Sequence, residues 1–226
     1  MSDDSIFREV DEAIRHEQLK KLWDRFGVVI VSVAFLIIAG VSGYKGWVYW
    51  QGEQAKANGA RFVGGLMQVE EGKTADALEI FKSIASDAPS GYRKLASFEL
   101  AALHVKEGRK DEALKLYDAL AAQSGIGEVL RGFALVQAAS LRLDTASFDE
   151  LEAKLKGLLS TENSWRHSAR ELLGLSAYKA KNIKIAERFF NVILSDQQTP
   201  VNMRQRAEMM LSLMVQSGGD STDGAK

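Results

Sequence analysis

Apolar and polar residues follow three different patterns along this chain. Over residues 5–25 they keep a helical period: Ile6, Val10 and Ile14 stand one turn apart, and Leu19, Leu22 and Trp23 continue the stripe. From Phe26 through Tyr44 the period stops, and nineteen residues pass without a charge, eleven of them Val, Ile, Leu or Phe. Here Val28, Val31, Phe35, Ile38 and Val41 point all around a helix axis, so no stripe is kept polar for water. Beyond residue 52 the helical period returns, broken at intervals by short polar turns. The pattern predicts an all-α protein: an amphipathic lead-in, one uniformly apolar helix, then a long array of amphipathic helices.

The apolar helix has the length of a membrane span. At about 1.5 Å per residue, nineteen to twenty-three residues cover about 30 Å of hydrocarbon. Lys45 stands where the apolar run ends, followed by Trp47, Tyr49 and Trp50, and a snorkelling lysine among aromatics suits a membrane–water interface. A cleavable signal fits less well. Its leading region would be twenty-five residues long with acids in excess, and its apolar core exceeds about 7–15 residues. Lys20, Lys21 and Arg25 cluster before the span, whereas Lys45, Lys56 and Arg61 spread out after it. That bias places the N-terminus in the cytoplasm and the large domain across the membrane. Ala39/Gly43 and Ser42/Gly46 form small-xxx-small pairs; they either admit a neighbouring helix or are the small residues such spans commonly carry. With acids in excess, the lead-in is no polybasic lipid anchor; it docks on a partner or is a solvated helix entering the span.

Three segments of the remainder line up: VEEGKTADALEIFKSIASDAP (69–89), VKEGRKDEALKLYDALAAQSG (105–125) and YKAKNIKIAERFFNVILSDQQTP (178–200). Each has a polar turn and then an alanine with an aromatic four residues on: Ala77/Phe81, Ala113/Tyr117 and Ala186/Phe190. Ala77 to Ala113 is 36 residues and Ala113 to Ala186 is 73, about two further periods. Two helices per unit at such a period mark a helical solenoid. A degenerate copy is expected between them, with helices at 128–143 and 147–160 joined at LDTAS, and a last helix at 200–217 closing the stack. The tail, 218–226, reads as disordered. The expected layout is thus a cytoplasmic segment at 1–25, an anchor at 26–50, a repeat domain at 51–217 and the tail.

These units resemble the tetratricopeptide repeat. Leu100-Ala101 and Leu173-Gly174 precede Ala113 and Ala186 by the family's spacing, and Pro89 takes the closing proline position. The tryptophan position is not Trp in any copy, and the first copy carries Gly64-Gly65. The resemblance implies a right-handed solenoid of paired helices over roughly 57–197. It also implies that the first helices line a concave groove for protein partners. By the family's pattern that face carries Phe62, Leu66 and Val69, then Phe98, Ala102, Val105 and Lys106, then Glu171, Leu175, Tyr178 and Lys179; the apolar ones are equally readable as core.

Composition narrows the chemistry. A net charge of −1 gives no footprint for nucleic acid. With no cysteine, disulfides, thiolate catalysis and zinc–thiolate sites are excluded. The three histidines, His16, His104 and His167, fall in different segments without a partner at metal-ligand spacing. Glu70-Glu71 and Asp149-Glu150 are adjacent pairs that diverge on a helix. No phosphate loop or nucleophile motif is present, and the reading is a non-enzyme without cofactor, metal or small-molecule substrate.

The whole layout, with GWVYWQ (46–51) at the membrane exit, resembles the ancillary SecYEG translocon subunit family, YfgM-like inner-membrane proteins with a periplasmic repeat domain. That resemblance implies a single-pass protein of the bacterial inner membrane, working beside the translocon with a membrane-anchored periplasmic chaperone and emerging clients. A scaffold for cell-division or cell-wall assembly and an organelle import receptor with cytosolic repeats share the layout and stay open.

Overall fold

The computed structural model describes residues 3–219, and for residues 3–19, 21, 22, 90 and 217–219 it describes the backbone alone. Among the described residues regular structure is entirely helical: α1 (Asp3–Glu70), α2 (Thr74–Asp87), α3 (Ser90–Lys106), α4 (Lys110–Ala122), α5 (Glu128–Arg142), α6 (Phe148–Leu155) with a 3-10 turn at Lys156–Leu158, α7 (Arg166–Lys179), α8 (Ile183–Ser195) and α9 (Val201–Gly219). The chain divides into two compact units, Met1–Ala57 and Asn58–Lys226, and α1 contributes residues to both.

In the first unit, Val28 through Trp50 are all exposed. The exposure is large at Val28 (83%), Phe35 (69%) and Leu36 (68%), where water would be a poor solvent. Among the described residues this is the one helix long and apolar enough to cross a membrane. Trp47 and Trp50 stack at 5.5 Å near its end. Ala39, Ser42, Gly43 and Gly46 are exposed, and a Cβ on Gly43 or Gly46 would meet nothing within 4 Å. The stripe expected at Ile6, Val10, Ile14, Leu19 and Leu22 lies outside the described side chains, and Trp23 is exposed. Most of the expected tail also lies outside the described residues, although α9 runs on to Gly219.

The second unit is a stack of helical pairs, each helix packing chiefly on its neighbour in sequence. One register runs through it. A small residue on each first helix faces a large one sixteen positions later on the second: Gly65/Phe81, Ala101/Tyr117, Ala139/Leu155 and Gly174/Phe190. All eight are buried. The glycines are close-packed, since a Cβ on Gly65 would lie 2.8 Å from two Phe81 ring carbons and one on Gly174 2.9 Å from Phe190 Cζ. Within Gly64-Gly65, which departs from the repeat pattern, Gly65 is thus a point of close approach between the first pair of helices, while Gly64 faces open space. In the third pair Leu151 and Leu155, both 0% exposed, stand where the others have alanine and an aromatic.

The turn inside the first, second and fourth pairs is the same hydrogen-bonded stop. The N–H of Lys73 donates to the carbonyl of Gln68 (2.9 Å), Arg109 to His104 (2.8 Å) and Asn182 to Ala177 (2.9 Å). The residue before each donor takes the left-handed conformation, as Gly72 (φ +76°), Gly108 (φ +77°) and Lys181 (φ +59°). The third pair closes differently: Ser147 and Glu150 form a reciprocal capping box at the start of α6.

A polar cluster ties the α8–α9 connection to the start of α7. Arg166 Nε and Arg170 Nη1 each donate to Asp196 Oδ2 at 3.0 Å, and Arg166 Nη2 donates to Gln198 at 2.7 Å. Thr199 donates to the Ile193 carbonyl (2.6 Å) and lies 3.1 Å from His167 Nδ1. The Arg166 hydrogen bond in first place, joined by Arg170 and the Gln198 N–H, holds the Asp196 carboxyl far below the usual range. Burial, with Arg166 beside it, pushes the His167 imidazole down.

Candidate functional site

The first helices of the stack are the end of α1, then α3, α5 and α7. Their shared face holds the residues expected to meet a partner, in unequal states of exposure. Phe62, Leu66 and Val69 are half-buried against the first repeat's core. Phe62 meets Phe81 edge-on at 5.3 Å. Phe98 is 8% exposed and belongs to the second core, between Tyr117 (6.4 Å) and Phe133 (5.3 Å). It is a packing residue: its ring is turned inward by aromatic neighbours on both sides and offers little surface to a partner. Ala102, Val105 and Lys106 are exposed one and two turns further along α3.

On α7, Leu175 and Tyr178 are half-buried against the last repeat's core. Glu171 is held by Arg206 of α9 through two bonds, 2.5 and 2.8 Å. Lys179 donates to the carbonyls of Leu143 (3.0 Å) and Asp144 (2.5 Å), capping the end of α5. These two charges join adjacent helices. The residues placed at the repeat contacts are buried: Ala77, Phe81, Leu100, Ala101, Ala113, Tyr117, Leu173, Gly174, Ala186 and Phe190, with Pro89 exposed at the start of α3.

Two exposed apolar residues lie outside the sequence-based assignment, Leu95 (42%) on α3 of the second repeat and Val129 (59%) on α5 of the third. Alongside runs an aromatic ladder, Phe98 to Phe133 at 5.3 Å and Phe133 to Trp165 at 5.5 Å. Trp165 is fixed by its indole N–H donating to the Val129 carbonyl (2.8 Å) and by contact with Gly132, where a Cβ would stand 2.2 Å from the ring. Leu95 was findable, being one turn before Phe98 on the same face. Trp165 lies just before α7 and had one signal, its place nine residues ahead of Gly174, as Tyr92 stands nine ahead of Ala101. Half-buried Glu99 has its carboxyl pushed up by burial, and the Tyr117 phenol is pushed up by burial and by Glu99.

Shallow clefts open on the other side, between successive second helices. One of about 520 Å³ between α6 and α8 is lined by Phe148, Glu152, Asn182, Ile185 and Arg188. One of about 370 Å³ between α2 and α4 is floored by Leu78, Leu100 and Leu116 beside His104. Burial and Arg109 push the His104 imidazole down, and its buried Nδ1 has no hydrogen-bond partner. Among the described residues no three His, Asp or Glu side chains come together as metal ligands would.

The family comparison agrees with this geometry. The tetratricopeptide repeat-like domain matches residues 20–211, from ahead of the apolar helix into α9. No curated protein and no solved structure matches the chain. Domains of this kind are typically interaction modules without catalysis. Repeat register, helix pairing and the family match together make this chain a member of the tetratricopeptide repeat-like domain family.

Proposed function

We propose that this protein is a single-pass, non-enzymatic adaptor of the bacterial inner membrane, with residues 52–226 in the periplasm. There the first-helix face holds the SecYEG translocon, a membrane-anchored chaperone or an emerging client. The observation that carries the reading is the exposure of Leu95 and Val105 on α3 and of Val129 on α5, with the Phe133–Trp165 pair among the first helices. Large apolar side chains left in water on one face of a soluble repeat domain are what a partner covers. Rigid aromatics beside them supply contact area at low entropic cost. The membrane-exit sequence GWVYWQ and the charge bias across α1 are what support this compartment.

Site-directed photocrosslinking in native membranes tests this, with the reactive side chain at Leu95 or Val105 and, as the control, at Val192, exposed on α8 of the opposite side. Adducts with translocon or chaperone subunits from Leu95 and Val105, and none from Val192, are expected. Adducts from Val192 alone would move the binding face to the second helices. Adducts with division or cell-wall proteins would replace the translocon as partner. Protease added to spheroplasts should digest the repeat domain, and a fully protected domain would reverse the orientation.

A further inference from the structure

Every first helix in the stack carries two positions flanking its small residue, two before and two after: Val63 and Met67, Glu99 and Leu103, Gln137 and Leu141, Leu172 and Ser176. Inside the stack they are covered. Leu103 is 3% exposed in the cluster that holds α2's Phe81 and Ile84, and Leu172 is 9% exposed in the cluster that holds α6's Leu151 and Leu155. Ser176 is buried, and Glu99, Gln137 and Leu141 are half-buried. In the first repeat the chain ahead of these turns continues the same helix, α1, and Val63 and Met67 are each 54% exposed. Exposed Ala60 extends them into one stripe at spacings of three and four, with Gly64 beside it. The opposite face of the same turns is sealed, because Gly65 and Phe62 pack on Phe81. The repeat pattern thus leaves a place for a helix, and none among the described residues fills it.

We propose that this stripe, Ala60–Val63–Met67, is a contact between two copies of the chain, α1 lying parallel against α1. Two large side chains fall far short of the ~800 Å² per partner that a free-standing interface buries. A partner arriving from solution would not be held by them. A second copy anchored in the same membrane has the same orientation and presents the same residues at the same level. Confinement to one bilayer and one orientation raises the local concentration of that copy, so a small contact suffices. Alanine and glycine at the stripe let two helices approach, and valine and methionine pack across the seam. Parallel order also sets Lys56 and Glu70 each opposite its own copy, so the contact is confined to Ala60–Met67. This inference rests on the reading of α1 as a membrane anchor.

The chain contains no cysteine, so single-cysteine crosslinking of the full-length protein in its membrane needs no background correction. Ala60→Cys, Val63→Cys and Met67→Cys are compared with Arg61→Cys and Asp76→Cys, which are exposed off the stripe. The expected result is an oxidised product of twice the chain mass at the three stripe positions and its loss at the other two. Adding Val63→Gln and Met67→Gln to the Ala60→Cys chain should abolish that product, while the circular dichroism spectrum stays unchanged because both side chains are exposed. Equal products at all positions, or none, would overturn the proposal, and a stripe-specific product of any other mass would assign the place to a different protein. Carbonate extraction of the same membranes separates the two failures. A chain released by carbonate refutes the anchor reading, and a retained chain without the dimer refutes only the pairing.

Discussion

Gly64→Ala and Gly65→Ala, adjacent substitutions in one helix, separate backbone propensity from packing. Each replaces a helical glycine with alanine and gains about 0.5–1 kcal/mol of helix propensity. At Gly64 nothing lies within 4 Å of the new Cβ, so that gain stands alone. At Gly65 the Cβ would lie 2.8 Å from two Phe81 ring carbons and 3.2 Å from Ile80 Cγ2. Carbon pairs rest at about 3.5–4.0 Å, so the helices must open or the ring must turn. Phe81 is 0% exposed and has no room to turn. Overpacking of this kind costs about 1–3 kcal/mol, which offsets the propensity gain or exceeds it. The two variants should therefore differ by about 1–3 kcal/mol, with Gly64→Ala the more stable, and each kcal/mol moves Tm by about 2–4 °C in a unit of this size. Thermal and urea unfolding of the full chain in detergent, followed by circular dichroism, reads the difference. If Gly65→Ala melts at or above Gly64→Ala, the register that sets Gly65 against Phe81 is wrong.

Other substitutions reach different parts of the account. Asp196→Asn keeps an acceptor but removes the carboxylate charge facing the Arg166 and Arg170 guanidiniums, and because Asp196 is partly exposed a loss of about 1–2 kcal/mol in urea unfolding is expected. Because the folded state lowers that carboxyl, its contribution is present above about pH 4 and is lost as pH falls through the depressed value. His167 and His104 are both pushed down by burial, so the unfolded chain takes up protons near pH 6.5 before the folded one does. Stability is then full above that pH and falls below it, and His167→Gln should flatten the decline of the urea midpoint between about pH 7 and 5.5. Lys181→Gly relieves about 1 kcal/mol of left-handed strain less the entropy glycine adds to the unfolded chain, for a net gain under 1 kcal/mol in the same assay.

Helical pairs and their period were legible because they rest on local signals. Ala77/Phe81, Ala113/Tyr117 and Ala186/Phe190 repeat a small residue and an aromatic one turn apart, and the helices they mark are present. The third pair was placed by arithmetic, and its helices at Glu128–Arg142 and Phe148–Leu155 lie close to the expected ranges. Its signature was hidden because Leu151 and Leu155 fill with branched carbon the space that alanine and a ring fill elsewhere. Gly65 read as a departure because a small residue shows its purpose only when the ring it faces, sixteen residues on, is known to lie against it. The candidate face was less legible, since a first-helix position is groove or core according to its neighbours in space. Phe98 has the sequence position of a groove residue and is drawn inward by Tyr117 and Phe133. The Asp196 cluster gathers residues 30 positions apart that share no motif, and only the folded chain brings them together.

Recognition of a protein partner is proposed to reside in the first-helix face, with α1 serving to hold that face at the membrane. Crosslinking capture from native membranes tests it most directly, with Leu95→Glu combined with Val105→Glu in one chain and a foreign transmembrane helix replacing residues 26–50 in another. Both side chains are substantially exposed, at 42% and 38%, so the double variant should keep its fold. The double variant is expected to lose translocon and chaperone capture while the foreign-helix chain retains it. Capture that survives the double substitution and disappears with the foreign helix would contradict the claim and place recognition on the span's small-residue face at Ala39, Ser42, Gly43 and Gly46.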